Sequence, residues 1–402
     1  MRCPQPAGSA RLPFTDLAAA LLFALGAPAI GLVAQTTHVV GPGGFTEIRD
    51  ALAIATAGDH ILVHPGVYAH FEALVPVTIR AAAPGTVDVR YDQGFPAFEA
   101  THFAPPTGTW SHVFGLRFIG NTVFAFPSGT IAHHVVVDRG GVTFDSCTFD
   151  ARSRATLTVN DASTFLQQCT VSNSTTLAIF PIGPGIAATD ATLSLIDTAV
   201  HGGGDTLYAG SPAIDATNSS LHGSHVQLFG MQSISQPSQP AVRATGGALW
   251  LCDSTLTPGT SACALETSGT ATHLDRCTIQ STGTNCSNPT GTGLLGVTRP
   301  QPPQHGAPFR LDFTTAPNGF VAVFANFALA AQQLPHLVQP ALIDSPSALP
   351  AGFLIADNAG LAAGSWMIPF GWNYVGIGLW FQGLTGTTLP LQTSPLAGGL
   401  VR

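Results

Sequence analysis

The chain has 402 residues, 45% apolar and only 9% charged, enough for two domains around a large core. All 14 basic residues are arginine, which excludes lysine Schiff-base chemistry and a lysine-bearing phosphate loop. A formal charge of −8 with no basic cluster leaves no electrostatic footprint for nucleic acid or an anionic membrane, so neither is expected as a partner.

Residues 1–34 place Arg2 and Arg11 before an apolar run broken by Gly26, Pro28 and Gly31, the pattern of a secretory signal peptide. Cleavage after Ala34 leaves Gln35 first, with Ala27 and Ala29 marking an alternative site. No later stretch is long and apolar enough to span a bilayer. The leader carries Cys3 away, leaving six cysteines in an exported chain where disulfides persist. The chain is therefore expected to be secreted, extracellular or on the cell surface.

Residues 44–59 predict a short helix, with Thr46 as its cap, Ile48, Leu52 and Ala55 at helical spacing, and Gly58 as its stop. Strand-like runs follow at 61–68 and 77–80. The middle of the chain then repeats itself. Cys147, Cys169, Thr198, Val226, Ser254 and Cys277 form a column of anchors at intervals of 22, 29, 28, 28 and 23 residues. Phe149, Val171, Val200, Leu228, Leu256 and Ile279 stand two places after the anchors, and Phe144, Leu166 and Leu195 three before. Such alternation at such a period implies stacked coils of short strands. Eight places before the anchors stand Arg139, Asp161, Asp190, Asn218, Gly246 and Gly269, types that tolerate a left-handed turn. A metal reading of that column is the sharper alternative, but turn chemistry accounts for its residues.

The helix-then-strand opening resembles that of pectin-lyase-like proteins, a right-handed parallel β-helix family of secreted bacterial proteins, over roughly residues 37–292. The resemblance implies that the helix closes one end of the coil stack. The polygalacturonase motifs of such folds (Asn-Thr-Asp, Gly-Asp-Asp, Gly-His-Gly and Arg-Ile-Lys) are absent, as is a calcium-binding carboxylate cluster. The Pro-rich stretch 298–308 reads as a linker between a β-helix over 35–297 and an all-β C-terminal domain over 309–402. That domain is expected to be a small β-sandwich, and its ending resembles C-terminal modules of large secreted bacterial proteins.

Register turns this spacing into neighbours, since successive coils lie about 4.8 Å apart. Cys263 and Cys286 fall nine places after their anchors and form the preferred disulfide. Cys147 and Cys169 are read as buried stacked thiols, and Cys252 and Cys277 as free. No short Cys-x-x-Cys pair suggests a metal, and no cofactor is expected. One column immediately before the anchors contains an acid–base series, Asp197, His225, Asp253 and Arg276, in which a histidine between two carboxylates has its charged form favoured. These are the catalytic candidates, and the alternative is a ladder of opposite charges supporting register. Asp150, Arg152, Arg154 and His201 are binding candidates along a groove for an extended chain. His133 and His134 face opposite ways on a strand and cannot grip one ligand. Trp110 and Trp250 could stack on sugar rings, against a packing role for each. Together these features predict a structural or carbohydrate-binding β-helix protein, with a polysaccharide lyase, hydrolase or epimerase as the alternative.

Overall fold

The computed structural model describes residues 35–90, 100–120, 134–151, 155–173, 183–204, 210–231, 238–259, 262–280, 293–370 and 376–402. Its main body is a right-handed parallel β-helix. Each coil contributes one strand to each of three parallel sheets, of ten, nine and eight strands among the described residues. One coil runs Val135–Asp138 in sheet 3, Gly141–Asp145 in sheet 1 and Thr148–Ala151 in sheet 2. Pairing is in register, so Phe144 lies beside Leu166, Leu166 beside Leu195, and Phe149 beside Val171. The inward rungs fill the core: Phe103, Phe118, Phe144 and Phe149 are fully buried, with ring centroids 5.0–5.5 Å apart along Phe103–Phe144, Phe144–Phe149 and Phe149–Phe118.

Two of the three corners are tight in the repeating coils, and each takes a left-handed residue, with Gly140 and Gly247 adding a second at the first of them. Arg139, Asp161, Asp190, Asn218, Gly246 and Gly269 have φ of 46–71° where sheet 3 turns into sheet 1, as expected of turn formers. Where sheet 1 turns into sheet 2, Ser146, Gln168, Asp197, His225, Asp253 and Arg276 have φ of 48–55°. The acid–base column is thus also a column of turn residues. The anchor that follows ties the corner down. Thr198 Oγ1 donates to the carbonyls of Ile196 (2.8 Å) and Leu166 (3.3 Å), and the thiols of Cys147, Cys169 and Cys277 make the same two kinds of bond. That explains the Cys and Thr members of the column, and Ser254 donates likewise to Cys252, whereas Val226 fills its place by packing alone. Thr198→Val, which keeps the shape and loses the donor, is expected to lower stability by about 1–2 kcal/mol in urea titration. An unchanged midpoint would remove the corner role.

The third corner varies most in length. Twelve residues separate Asn173 from Ile186, His201 from Ile214 and Phe229 from Val242, but only five separate Ala151 from Leu157 and seven Thr257 from Leu265. Coil length can vary there because a longer connection costs little extra closure entropy.

The helix spans only Ile48–Leu52 and buries Ile48, Ala51 and Leu52 over the first coil. Its N-cap is Glu47, without a side-chain cap bond; Thr46 bonds to Asp50 instead, and Glu47 accepts from the Ala69 amide. The expected cap at Thr46 is corrected accordingly.

The C-terminal region is antiparallel, with Pro308–Thr314 and Leu361–Met367 in one sheet and Phe320–Asn326, Leu349–Ile355 and Gly378–Thr385 in another. Phe309, Leu311, Phe313, Val321, Val323 and Phe381 form the core between them. This unit lies against the outer face of sheet 1. Ile196 joins its core, Phe165 packs with Leu329, Leu342 and Trp380, and the His112 ring stacks on Trp380 at 5.5 Å. Backbone amides of Leu396, Gly398 and Val297 donate to Ser194, Gln167 and Ser224 of the β-helix. The start of the Pro-rich stretch is itself docked: strand Gly296–Thr298 pairs with Pro308–Thr314, and Arg299 is completely buried. Among the described residues no helix is long and apolar enough to cross a membrane.

Candidate functional site

The C-terminal unit settles what the acid–base column touches. Asp197 accepts from the Thr298 hydroxyl at 2.8 and 3.0 Å and from the Arg299 amide at 3.1 Å. Asp253 holds Arg276 at 2.7 and 3.0 Å and accepts from the Thr314 hydroxyl, while Arg276 also reaches the carbonyls of Leu294 and Thr314. Burial pushes the Asp253 carboxyl up, but the bonds from Arg276 and Thr314 outweigh it and hold the group below the usual carboxylate range. His225 bonds to Ser224 at 3.0 Å and reaches neither carboxylate at ion-pair distance. The histidine expected between two carboxylates is therefore not formed here. The column is the seam between the two units, because its left-handed corner points these side chains at the chain that crosses them.

The binding candidates are placed in part. Asp150, Ser172 and His201 are successive rungs of sheet 2, so two coil steps separate Asp150 from His201. The His201 ring stacks on Phe229, the next rung, at 4.5 Å and 8°, and burial lowers its pKa. Arg152, Arg154 and His133 lie outside the described residues, as does Cys286. Cys263 is disulfide-bonded, and Cys147, Cys169, Cys252 and Cys277 are free thiols. Trp110 packs on Phe165 at 4.6 Å and Trp250 is 9% exposed against His222, both beneath the C-terminal unit. Both therefore make packing contacts within the fold.

A different constellation lies on the outer face of sheet 3, near the capped end. Alternation along Thr101–Phe103 buries Thr101 and Phe103 completely and turns His102 outward. Register sets Glu72 and Val136 beside it, with Asp138 two places along. His102 Nε2 is 2.9 Å from Asp138 and Nδ1 3.8 Å from Glu72. Asn160 donates to the other oxygen of Asp138 at 2.8 Å, which orients the carboxylate. Glu72, His102 and Asp138 line a cleft of about 870 Å3 whose rim includes Arg49 and His70. His70 lies beside buried His134, 5.3 Å between ring centroids; burial holds His70 down at about 4 and His134 at about 3. Both stay neutral at pH 7, so the rim adds no histidine charge to the cleft. An imidazole flanked by two carboxylates on opposite ring edges can pass a proton or hold a hydroxyl in place. Among the described residues no group of three His, Cys, Asp or Glu side chains is arranged to hold a metal ion.

Neither a known protein family nor a curated protein matches the sequence. Solved structures do. The A-module of Azotobacter vinelandii mannuronan C-5 epimerase AlgE4 is matched at 10% identity and a TM-score of 0.25, over 60% of this chain and 92% of that one. The A-module of AlgE6 from the same organism gives 10% and 0.22, over 61% and 92%. Likeness at this level carries no argument about the site, which stands on its own geometry.

His102 was missed in the sequence because its coil precedes the anchor column. Glu72, His102 and Asp138 are separated by irregular connections, so no constant period brings them into line. The short alternation Thr101-His102-Phe103 was the only local signal.

Proposed function

We propose that this is a carbohydrate-binding β-helix protein whose site is the cleft over sheet 3. The observation that carries this reading is His102 held between Glu72 and Asp138 in a cleft of about 870 Å3. A passive surface repeat has no use for a concave site of that size. Carboxylates and imidazoles suit sugar hydroxyls, which donate to the first and exchange hydrogen bonds with the second. Hydrolysis is the second reading, favoured by one feature: two carboxylates facing each other across an imidazole, the residue types that glycoside hydrolysis needs.

The full chain should be titrated against soluble polysaccharides by calorimetry, with new reducing ends followed in parallel. His102→Ala is expected to weaken binding at least about tenfold, the loss of one charge-assisted contact in the cleft. Reducing ends that vanish in Glu72→Gln and Asp138→Asn would promote the second reading. Binding untouched in His102→Ala, or no binding across the panel, sinks the proposal.

A further inference from the structure

From the cleft, a line of hydroxyls runs along the same face of sheet 3. Register places Asn160 beside Asp138, then Thr189, Thr217, Thr245 and Ser268 on successive coils. Thr189, Thr217, Thr245 and Ser268 are exposed, and their hydroxyls have no intramolecular partner among the described residues. The row is tied to the cleft, since Asn160 bonds to the same Asp138 that holds His102. Beside it the neighbouring outward column is low, through Val136, Thr158 and Ala187, before Asp215, Arg243 and Glu266.

Resting on the cleft as a glycan site, we infer that this face is a binding track for an extended, uncharged polysaccharide that lies along the helix axis. Two features choose that class. Hydroxyls recur about every 4.8 Å, close to the rise of one pyranose in a flat β-1,4-linked chain, so each coil meets one sugar. The charge along the face rules against a polyanion: the carboxylates Glu72, Asp138, Asp215 and Glu266 outnumber Arg49 at the cleft rim and Arg243, which is engaged at 3.6 Å by Asp215 and 2.9 Å by Glu266. A uronate polymer would meet net repulsion there. Neutral sugars exchange hydrogen bonds with threonine hydroxyls without that cost.

The test compares cellobiose, cellohexaose and polymannuronate on the full chain by calorimetry, with the wild type and Thr217→Val/Thr245→Val. Valine keeps the β-branched shape at two exposed strand positions, so folding is expected to be unaffected. Cellohexaose should bind at least about tenfold tighter than cellobiose, and the double variant should lose about five- to tenfold for the hexamer while leaving the dimer unchanged. Equal affinity at both lengths, or a hexamer indifferent to the double substitution, overturns the track and leaves the cleft standing. Preference for polymannuronate overturns the uncharged class. Failure of every probe to bind removes the cleft reading, and the track with it.

Discussion

Arg299→Ala is expected to destabilise the protein by about 3–5 kcal/mol, the cost of leaving a buried charge without its partner. Arg299 is fully buried, and its two terminal nitrogens meet the Asp145 carboxylate at 2.8 and 2.7 Å. Gln168 Oε1 at 2.9 Å and the carbonyl of Gly398 accept further bonds from the same two nitrogens. Burial raises Asp145, but Arg299 and Arg402 hold it below the usual carboxylate range, so the pair stays ionised. Asp145 belongs to a β-helix strand and Arg299 to the chain entering the C-terminal unit, so the bond locks one to the other. Removing one partner should therefore loosen the docking before it melts the coil. Trp380, 1% exposed and stacked on His112 at the seam, provides the probe. Its fluorescence should shift at lower urea than the loss of β circular dichroism in Arg299→Ala, and together with it in the wild type. Coincident transitions at an unchanged midpoint would rule the lock out. Replacing both partners by apolar residues of similar volume should recover much of the loss, because the desolvation of both charges disappears with their attraction.

Stability is expected to fall steeply as pH drops from about 6.5 to about 4. His134 and His222 are 5% and 1% exposed, and burial lowers each to about 3. Their Nε2 atoms are buried without a hydrogen-bond partner among the described residues, so a proton there would place an unpaired charge in the interior. The folded state keeps both rings neutral, whereas the unfolded chain binds protons near the ordinary histidine value. Across the window between the two, the unfolded state holds more protons, and each unit of pH lost weakens the fold. Together with His70 and His112, both held down at about 4, these groups make acid the vulnerable direction. The two deeply buried rings can each contribute on the order of 3–5 kcal/mol over the whole window. Urea midpoints measured from pH 7 to 4 should drop, and His134→Gln and His222→Gln should each flatten the slope. A midpoint independent of pH across that range would contradict the buried neutral histidines. The depressed carboxyl of Asp145 acts in the same direction, losing its contribution only as pH falls through its own lower value.

The sequence by itself determined the coil and its corners. An in-register stack repeats the same environment at the same phase, so the anchors from Cys147 to Cys277 and the turn column from Arg139 to Gly269 could be read as neighbours. The free thiols could be read for the same reason. Legibility ended where periodicity did. The connections from sheet 2 to sheet 3 vary in length without affecting the stack, and that freedom hid the meeting of Glu72, His102 and Asp138. Only tertiary structure decided the fate of the acid–base column. Asp197 and Thr298, 101 residues apart, and Asp145 and Arg299, 154 apart, meet because one unit docks on the other. A docking surface is chosen by shape and complementary burial across the whole face, and no local pattern encodes it.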